Sequence, residues 1–153
     1  MTSSCRFAFA VHVLAVLALK RESGAVCSHL LAGSVNTNPV IIRRLLTRLR
    51  LAGLVCTQKG AGGGASLCHE PEDIALDAVY RAIEPGAALG QHPHKPNQRC
   101  PVGAGIERVL AEVSAAAESA FESELARRTL ADVLAAMAEE QPRRKTARTR
   151  KAA

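Results

Sequence analysis

The segment from Asn38 to Gly53 constrains the fold most, because its pattern fits an amphipathic helix with marked ends. Asn38 can accept hydrogen bonds from free N–H groups at a helix start, Pro39 suits the first helical position, and Gly53 is the usual residue beyond a helix end. At 100° per residue the apolar side chains fall within an arc of roughly 140°; they are Ile41, Ile42, Leu45, Leu46 and Leu49. We therefore predict a helix over residues 38–52 that buries this arc.

The opposite side of this predicted helix is basic, and no acid lies nearby in the sequence to neutralise it. It carries Arg43, Arg44, Thr47, Arg48 and Arg50. Residues 1–69 contain eight Lys/Arg and one acid, Glu22, whereas residues 70–141 contain six Lys/Arg and thirteen acids. This division favours a polyanion as the partner of the first part, although a basic helix side can also simply face solvent.

A glycine-rich hairpin is predicted directly after the basic helix. Residues 54–58 and 65–69 have the pattern of short strands, and the glycines between them supply the positive φ angles that a tight connection needs. A phosphate-binding loop is the alternative for such a glycine run. That motif requires Gly-Lys-Ser/Thr at the start of a helix, and here a strand follows the glycines.

The residues before the basic helix complete an ordered set of elements. Residues 6–20 and 27–33 are predicted helices, and residues 33–37 a turn. The second of these helices is expected to bury Leu30 and Leu31. Helix, short helix, turn, basic helix and hairpin predict a mainly α fold, in which residues 1–84 form a winged helix-turn-helix DNA-binding domain with a two-stranded wing.

The second half of the chain is predicted to be helical and to pair with a second copy. Residues 85–100 form a Pro-, Gly- and His-rich loop, taken as a sensor loop, and residues 101–127 a long helix with an apolar stripe. Because single helices are marginal in water, the same helix of a second chain is the expected partner. Residues 101–140 are thus a dimerisation helix and a short terminal helix capped by Thr129, and the basic residues 141–153 are predicted to be disordered.

The sequence argues against catalysis and membrane insertion. We find no nucleophile–base pair, metal triad or cofactor fingerprint at useful spacing, so we expect no enzyme activity. The apolar stretch at 7–19 spans only 13 residues and is interrupted by His12, which predicts neither a signal peptide nor a membrane span but a cytoplasmic protein. The five cysteines are scattered and odd in number, which is typical of reduced thiols.

Several of these motifs resemble the Rrf-two family of bacterial winged-helix transcription repressors. The resemblance covers about residues 6–138 and is carried mainly by Asn36-Thr37-Asn38-Pro39-Val40-Ile41-Ile42-Arg43-Arg44-Leu45-Leu46 and Gly60-Ala61-Gly62-Gly63-Gly64. Supporting matches are Leu49-Arg50, Ala52-Gly53-Leu54-Val55, Ile83-Glu84, Cys100-Pro101-Val102-Gly103 and Thr129-Leu130-Ala131-Asp132.

What the resemblance implies is a homodimer, formed through residues 101–138, that represses transcription from a palindromic operator on double-stranded DNA. Some members of this family hold an iron–sulfur cluster with three cysteines in the loop before the long helix. In this chain only Cys100 lies between Pro85 and Ile106. Because such clusters are normally held by several thiolates, we expect the cluster-free branch of the family and no cofactor.

The predicted DNA contacts divide by their position on the motif. Residues near the helix start can reach base edges, and later ones more readily meet phosphates. We predict base reading by Asn36, Thr37, Asn38 and Arg43, and backbone contacts by Arg44, Arg48, Arg50 and Lys59, with Thr47, Gly62 and Gly63 also at the DNA.

The signal is predicted to act at Cys100, which precedes the long helix. The positive end of a helix, together with Lys95 and Arg99, lowers a thiol pKa, so Cys100 is a candidate redox sensor; an inert cysteine is the alternative. A metal-responsive regulator using His92, His94 and Cys100 is a second alternative. Cys56 and Cys68 are expected to be a packed pair on the wing. A non-specific DNA-compacting protein and a carrier using the loop at 84–100 also remain open.

Overall fold

The structure, a computed structural model, describes residues 5–60, 62–84, 86 and 92–151, with side chains as far as residue 140. The helices in this part of the chain are α1 (Arg6–Leu19), α2 (Ser28–Val35), α3 (Pro39–Leu51), α4 (Leu76–Ile83), α5 (Pro101–Ala126) and α6 (Leu130–Lys151). The strands are β1 (Val55–Gln58) and β2 (Gly64–Leu67). None of the described helices combines the length and apolar character needed to cross a membrane.

An apolar core lies where α1 to α4 and the hairpin meet. α1 contributes Val13, Leu14 and Leu17, which are almost completely buried. α3 buries one side, made of Ile42, Leu45, Leu46 and Leu49. The hairpin of β1 and β2 follows α3 directly, so the predicted mainly α winged helix-turn-helix with a two-stranded wing is confirmed.

Both ends of α3 are set by the local signals that the sequence carries. Asn38 Oδ1 accepts a hydrogen bond from the Val40 N–H at 2.8 Å, which caps the helix start. At the other end Gly53 has a φ of 75°, and the Leu54 N–H donates to the Leu49 carbonyl at 3.0 Å, which closes the helix in a Schellman motif. The helix predicted over 38–52 is confirmed within one residue at each end.

α2 runs two residues further than predicted. It ends at Asn36, which has a left-handed conformation with a φ of 58°, while the Thr37 N–H donates to the Ala32 carbonyl at 3.0 Å. The helix can pass Gly33 because Asn36, a residue type that tolerates positive φ, supplies the stop instead. Leu31 is buried as predicted, but Leu30 is 45% exposed, so the expectation for Leu30 is wrong.

The wing is a tight antiparallel hairpin. Val55 pairs with Leu67 and Gln58 with Gly64. Gly62 has a φ of 78°, and a Cβ on Gly63 would overlap the Gln58 carbonyl oxygen, so only glycine fits this turn. The hairpin is also tied to the segment before α2, because Val26 and Ala65 exchange two backbone hydrogen bonds of 2.8 and 2.9 Å.

A disulfide joins Cys56 to Cys68 on the wing. Their Cα atoms are 5.4 Å apart, within the usual span of a disulfide. The expectation that all five cysteines are reduced, with these two as a packed pair, is wrong for this structure. The strand register is the reason: Cys56 lies opposite Ser66, one diagonal step from Cys68. Cys5, Cys27 and Cys100 lie outside this disulfide and are exposed.

α6 returns the chain to α1 and to the segment before α4. Its start is capped by Thr129, as predicted: the Thr129 N–H and hydroxyl donate to the Asp132 carboxylate at 2.7 and 3.0 Å, and these hydrogen bonds lower the pKa of Asp132. Leu130 is fully buried, and its N–H donates to the Ile74 carbonyl at 2.9 Å.

The extent of α6 differs from the sequence prediction. A short helix over 130–137 and a disordered tail over 141–153 were expected, but the backbone stays helical to Lys151. Absence of apolar periodicity does not by itself end a helix, and the residues after Met137 are rich in Ala, Arg, Lys, Glu and Gln, which have high helix propensity. Residues 152 and 153 lie outside the described residues.

Candidate nucleic-acid interface

The exposed side of α3 and the wing border a common cleft. We call the exposed side chains Arg43, Arg44, Thr47 and Arg50 the basic face of α3. The cleft has a volume of about 460 Å³. From α3 it is lined by Arg43, Thr47 and Arg50, and from the wing by Thr57, Gln58, Gly60 and Gly63, so two elements offer polar groups to one concave surface.

Arg43 and Thr47 are partly held by the helix itself. Arg43 Nε donates to the Pro39 carbonyl at 3.3 Å, and the Thr47 hydroxyl donates to the Arg43 carbonyl at 2.9 Å. Arg43 is exposed at the first turns of α3, and its other guanidinium nitrogens can donate to a ligand. These first turns are the part of a recognition helix that reaches base edges, so the geometry is compatible with the predicted role of Arg43.

Arg48 lies apart from the basic face. Its Nη1 donates to the Ile83 carbonyl at 2.6 Å, and the side chain is half-buried between α3 and α4. Ile83 is the last residue of α4, where free carbonyls and the helix dipole both favour a cation. This link between two helices competes with the predicted contact between Arg48 and the DNA backbone, which stays a prediction.

The three polar residues before α3 have defined local roles. Asn36 ends α2, Thr37 N–H satisfies the Ala32 carbonyl, and Asn38 caps α3 through its Oδ1. Asn36 and Asn38 are exposed and Thr37 is half-buried, at the mouth of α3. Because capping uses only the Asn38 carbonyl oxygen, its amide nitrogen remains available to donate. Their contacts with bases stay predictions.

The wing residues expected at the DNA lie at its tip. Lys59 is exposed and follows β1, while Gly62 and Gly63 form the turn, of which residue 61 lies outside the described residues. The Gly63 N–H donates to the Gly60 carbonyl at 3.0 Å. The absence of side chains at 62 and 63 lets another backbone approach the tip closely.

Two apolar residues at the start of α3 belong to the exposed surface, which the sequence analysis did not predict. Val40 and Ile41 are each 44% exposed, although Ile41 belongs to the arc predicted to be buried. The arc is correct for Ile42, Leu45, Leu46 and Leu49, but the first helical turn extends past the core. Apolar side chains at this end of a recognition helix can contact thymine methyl groups, and their position one turn after Asn38 is the signal that could have identified them.

These observations agree with a family comparison. The model of the Rrf2 family, described as iron-dependent transcriptional regulators, matches residues 3–136. The chain belongs to the Rrf2 family.

Individual relatives support the assignment. YwnA of Bacillus subtilis (strain 168), described as a candidate HTH-type transcriptional regulator, is 38% identical over 129 residues, which cover 84% of this chain and 94% of YwnA. A crystal structure described as a candidate DNA-binding protein is 37% identical, with a TM-score of 0.68, and covers 84% of this chain and 98% of that one. A candidate transcriptional regulator from Lactobacillus plantarum is 27% identical, with a TM-score of 0.77 and coverages of 93% and 98%.

The donor set for an iron centre does not fit in the described part of this Rrf2 chain. A cluster requires several cysteine thiolates in reach of one another. Cys5, Cys27 and Cys100 are on separate elements, and Cys56 and Cys68 are bonded to each other. Nor does any set of three His, Cys, Asp or Glu side chains, His92, His94 and Cys100 included, come together there as a metal site.

Cys100 is the N-cap residue of α5, and backbone groups of neighbouring residues surround it. The backbone N–H groups of Gly103 and then Val102, at the start of α5, lower the pKa of the Cys100 thiol. The Cys100 N–H donates to the Asn97 carbonyl at 3.0 Å, and a Cβ on Gly103 would overlap that same carbonyl oxygen. Of the predicted sensor loop at 85–100, residues 85 and 87–91 lie outside the described residues.

α5 exposes an apolar side along most of its length. Of its 26 residues only Gly103 is buried. Exposed apolar side chains recur along it: Val102, Val109, Leu110, Val113 and Phe121. Its contact with the rest of the chain includes Phe121, whose ring packs edge-on against Tyr80 of α4 with centroids 5.0 Å apart. Burial, followed by the nearby Glu84, Glu118 and Glu122, raises the pKa of Tyr80.

Proposed function

We propose that this Rrf2 regulator is a homodimeric repressor that binds a palindromic operator through α3 and the wing. The observation that supports this most is the basic face of α3: its arginines are exposed beside a cleft shared with the wing, while the other side of α3 is buried in the core. Such a helix can enter the major groove while the hairpin follows the phosphate backbone.

The charge distribution supports DNA as the ligand of this face. No acidic residue lies between Glu22 and Glu70, the stretch that contains α2, α3 and the wing. Arg43 near the start of α3 is proposed to read a base, since a bidentate arginine–guanine contact gives the commonest specific readout. Arg44, Arg50 and Lys59 are proposed to contact phosphates, which position the protein without reading sequence.

The apolar side of α5 supports the dimer. Val109, Leu110 and Val113 are about half exposed on three successive positions of one stripe, and Val113 is 58% exposed. A helix with such a side needs cover, and a second copy of α5 offers the same stripe in a self-complementary arrangement. A twofold dimer then presents two α3 helices to the two halves of a palindrome.

We further propose that the protein acts in the bacterial cytoplasm, without enzyme activity and without an iron–sulfur cluster. The support for the last point is that Cys100 is the one cysteine between residues 85 and 106. Iron analysis and visible absorbance after anaerobic purification test this. Less than 0.1 iron per chain is the order of magnitude expected, and roughly two or more irons per dimer with thiolate charge-transfer bands would contradict it.

Oxidation of Cys100 is proposed as the signal. A thiol whose pKa is lowered by backbone N–H donors holds more nucleophilic thiolate at neutral pH, and a peroxide converts that thiolate to a sulfenic acid while the peroxide is reduced to water. Because Cys100 caps α5, a polar oxidised sulfur there can shift the dimer helix. The rate of Cys100 alkylation against pH should have its midpoint below that of free cysteine.

The variant that tests this signal is Cys100→Ser, which keeps a polar cap of similar size. Both proteins carry Cys56→Ser and Cys68→Ser, so that the wing cysteines cannot respond to the oxidant. Operator binding by the protein that keeps Cys100 should weaken after peroxide treatment, and binding by the Cys100→Ser variant should not change. Equal sensitivity of both proteins would remove Cys100 from the mechanism.

Selection of bound fragments from a random DNA pool, with thiols kept reduced, tests the repressor function as a whole. We expect one inverted repeat to be enriched, with half-sites about one helical turn apart. Enrichment of no sequence, with equal affinity for all fragments, would contradict sequence-specific binding and favour non-specific DNA compaction.

A further inference from the structure

We propose that Cys56 and Cys68 form a reversible thiol–disulfide site that sets the order of the wing and, through the wing, the affinity for DNA. The site is distinct from Cys100, which lies at the start of α5. Its effect on wing order is independent of the proposed function, and only the effect on affinity rests on it.

The position of the pair makes it accessible to reagents in solution. Cys56 is exposed on β1, and Cys68 is half-buried just after β2. Their neighbours Val55 and Leu67 are buried and point into the core, so the sulfurs lie on the outer side of the hairpin. Small thiols and disulfides can therefore reach them without unfolding of the domain.

The disulfide closes a covalent ring that contains the tip of the wing. Within the ring the strands share three pairs, Cys56–Ser66 to Gln58–Gly64, and are joined by a glycine-rich turn. The base of the hairpin is held by the core and by Val26, but its tip is rich in glycine, which loses the most conformational freedom on ordering. A cross-link over this segment removes many disordered conformations, so the oxidised wing should be ordered more fully than the reduced wing.

Wing order bears directly on the candidate interface. Thr57, Gln58 and Gly63 line the cleft opposite Arg43 and Arg50. A wing that is already held beside α3 loses less freedom when it contacts a phosphate backbone. Oxidation of the pair is therefore proposed to tighten DNA binding.

The chemistry is thiol–disulfide exchange with a small disulfide, RSSR. One wing thiolate attacks RSSR, forms a mixed disulfide and releases RS⁻; the second wing thiolate attacks the protein sulfur of that mixed disulfide and releases another RS⁻. The two thiols of the protein are oxidised and lose two protons, while RSSR is reduced to two RSH. A dithiol reductant reverses both steps.

The first test measures wing order without DNA. In the full chain, Cys5, Cys27 and Cys100 are replaced by Ser so that only the wing pair remains, and the protein is compared in oxidised glutathione and in excess dithiothreitol. Amide exchange of residues 57–67 and trypsin cleavage after Lys59 should both be slower in the oxidised protein, by roughly tenfold. The matched control, Cys56→Ser with Cys68→Ser and the other cysteines retained, should show no difference.

Three results would overturn the proposed redox site. The cysteine pair could stay reduced in oxidised glutathione, it could stay bonded in excess dithiothreitol, or the wing could be equally ordered in both forms. Circular dichroism of each variant shows whether the helices persist.

The second test uses the same protein with duplexes drawn from the random pool. The oxidised form should bind roughly three- to tenfold more tightly. Equal affinity despite a change in wing order would overturn the effect on DNA while leaving the redox site. If neither form prefers any sequence, the proposed function and the effect on affinity both fail, and the exchange data still decide the site.

Discussion

α3 and α5 are both helices with an apolar side, but only α3 buries that side within the chain. The 13-residue α3 buries its apolar side within the chain, whereas the 26-residue α5 buries only Gly103 and leaves Val109 and Val113 exposed. The exposed side of α3 is therefore a basic surface on a helix that the core holds in place. The exposed side of α5 is apolar and stays uncovered by the residues that the structure describes, which is the surface that the proposed dimer would bury.

α4 lies between these two regions and contacts both. Arg48 of α3 donates to the carbonyl of Ile83 at its end, and Tyr80 packs against Phe121 of α5. Arg81 lies 3.9 Å from Glu122 of α5 and also pairs with the buried Asp77. The surface proposed to bind DNA and the helix proposed to form the dimer are thus mechanically connected through one short helix.

The greatest loss of DNA binding is expected when the apolar stripe of α5 is charged. Leu110→Glu with Val113→Glu places two charges on its apolar stripe and should convert the dimer to a monomer, which light scattering measures. A monomer has one α3 helix and can bind only one half-site, so its affinity for the operator should be lower by roughly a hundredfold or more.

Leu19→Glu is the matched control for that variant, because Leu19 is 69% exposed on α1, away from the stripe. It should remain dimeric and bind normally. A dimeric Leu110/Val113 variant would show that α5 is not the interface.

The next effect concerns the basic face of α3. Arg43→Ala should weaken binding to the selected operator by roughly 5- to 150-fold and binding to unrelated DNA much less, because a base contact is lost. Affinities are compared at one fixed salt concentration, with Arg99→Ala as the control for an exposed arginine outside α3. Parallel loss for both DNAs would make Arg43 a phosphate contact only.

A smaller effect separates two arginines of the same helix. Arg50→Met removes a proposed phosphate contact, so affinity should fall and the slope of log affinity against log salt should decrease by about 1. Arg48→Met should leave that slope unchanged and instead reduce the free energy of unfolding by about 1–2 kcal/mol, since the Ile83 carbonyl loses its charged donor. Urea denaturation measures the second quantity, and a changed salt slope for Arg48→Met would restore it as a DNA contact.

The smallest effect distinguishes conformation from recognition at Asn36. Because its φ is positive, Asn36→Ala should lower the free energy of unfolding by about 1 kcal/mol, whereas Asn36→Gly should lower it little. If the Asn36 amide contacts DNA, as the sequence predicts, Asn36→Gly keeps its thermal stability but binds the operator several-fold more weakly. Unchanged operator affinity in Asn36→Gly would limit Asn36 to ending α2.

The sequence predicted those features that are determined within a few residues. Asn38 and Gly53 marked α3, Thr129 marked α6, and the glycine run marked the wing, because caps and positive-φ turns are local chemistry. The basic side of α3 was found in the same way, from periodicity alone.

Features that depend on distant neighbours were not predictable in this way. Arg48 has the helical position of a DNA contact, but Ile83, 35 residues later, lies within reach of it. Ile41 falls on the apolar arc, yet the core ends before it. The Cys56–Cys68 bond required the strand register, which the pattern of alternating residues left open.

Amide exchange of the full chain with and without the selected duplex reports α3 and α5 in one experiment, and so tests whether DNA binds at the basic face while α5 holds the dimer. DNA should slow exchange in residues 36–50 and 57–64, while exchange in residues 107–120 of α5 should stay unchanged in the dimer. Protection of α5 with no change in α3 and the wing would show that the basic face does not bind the DNA.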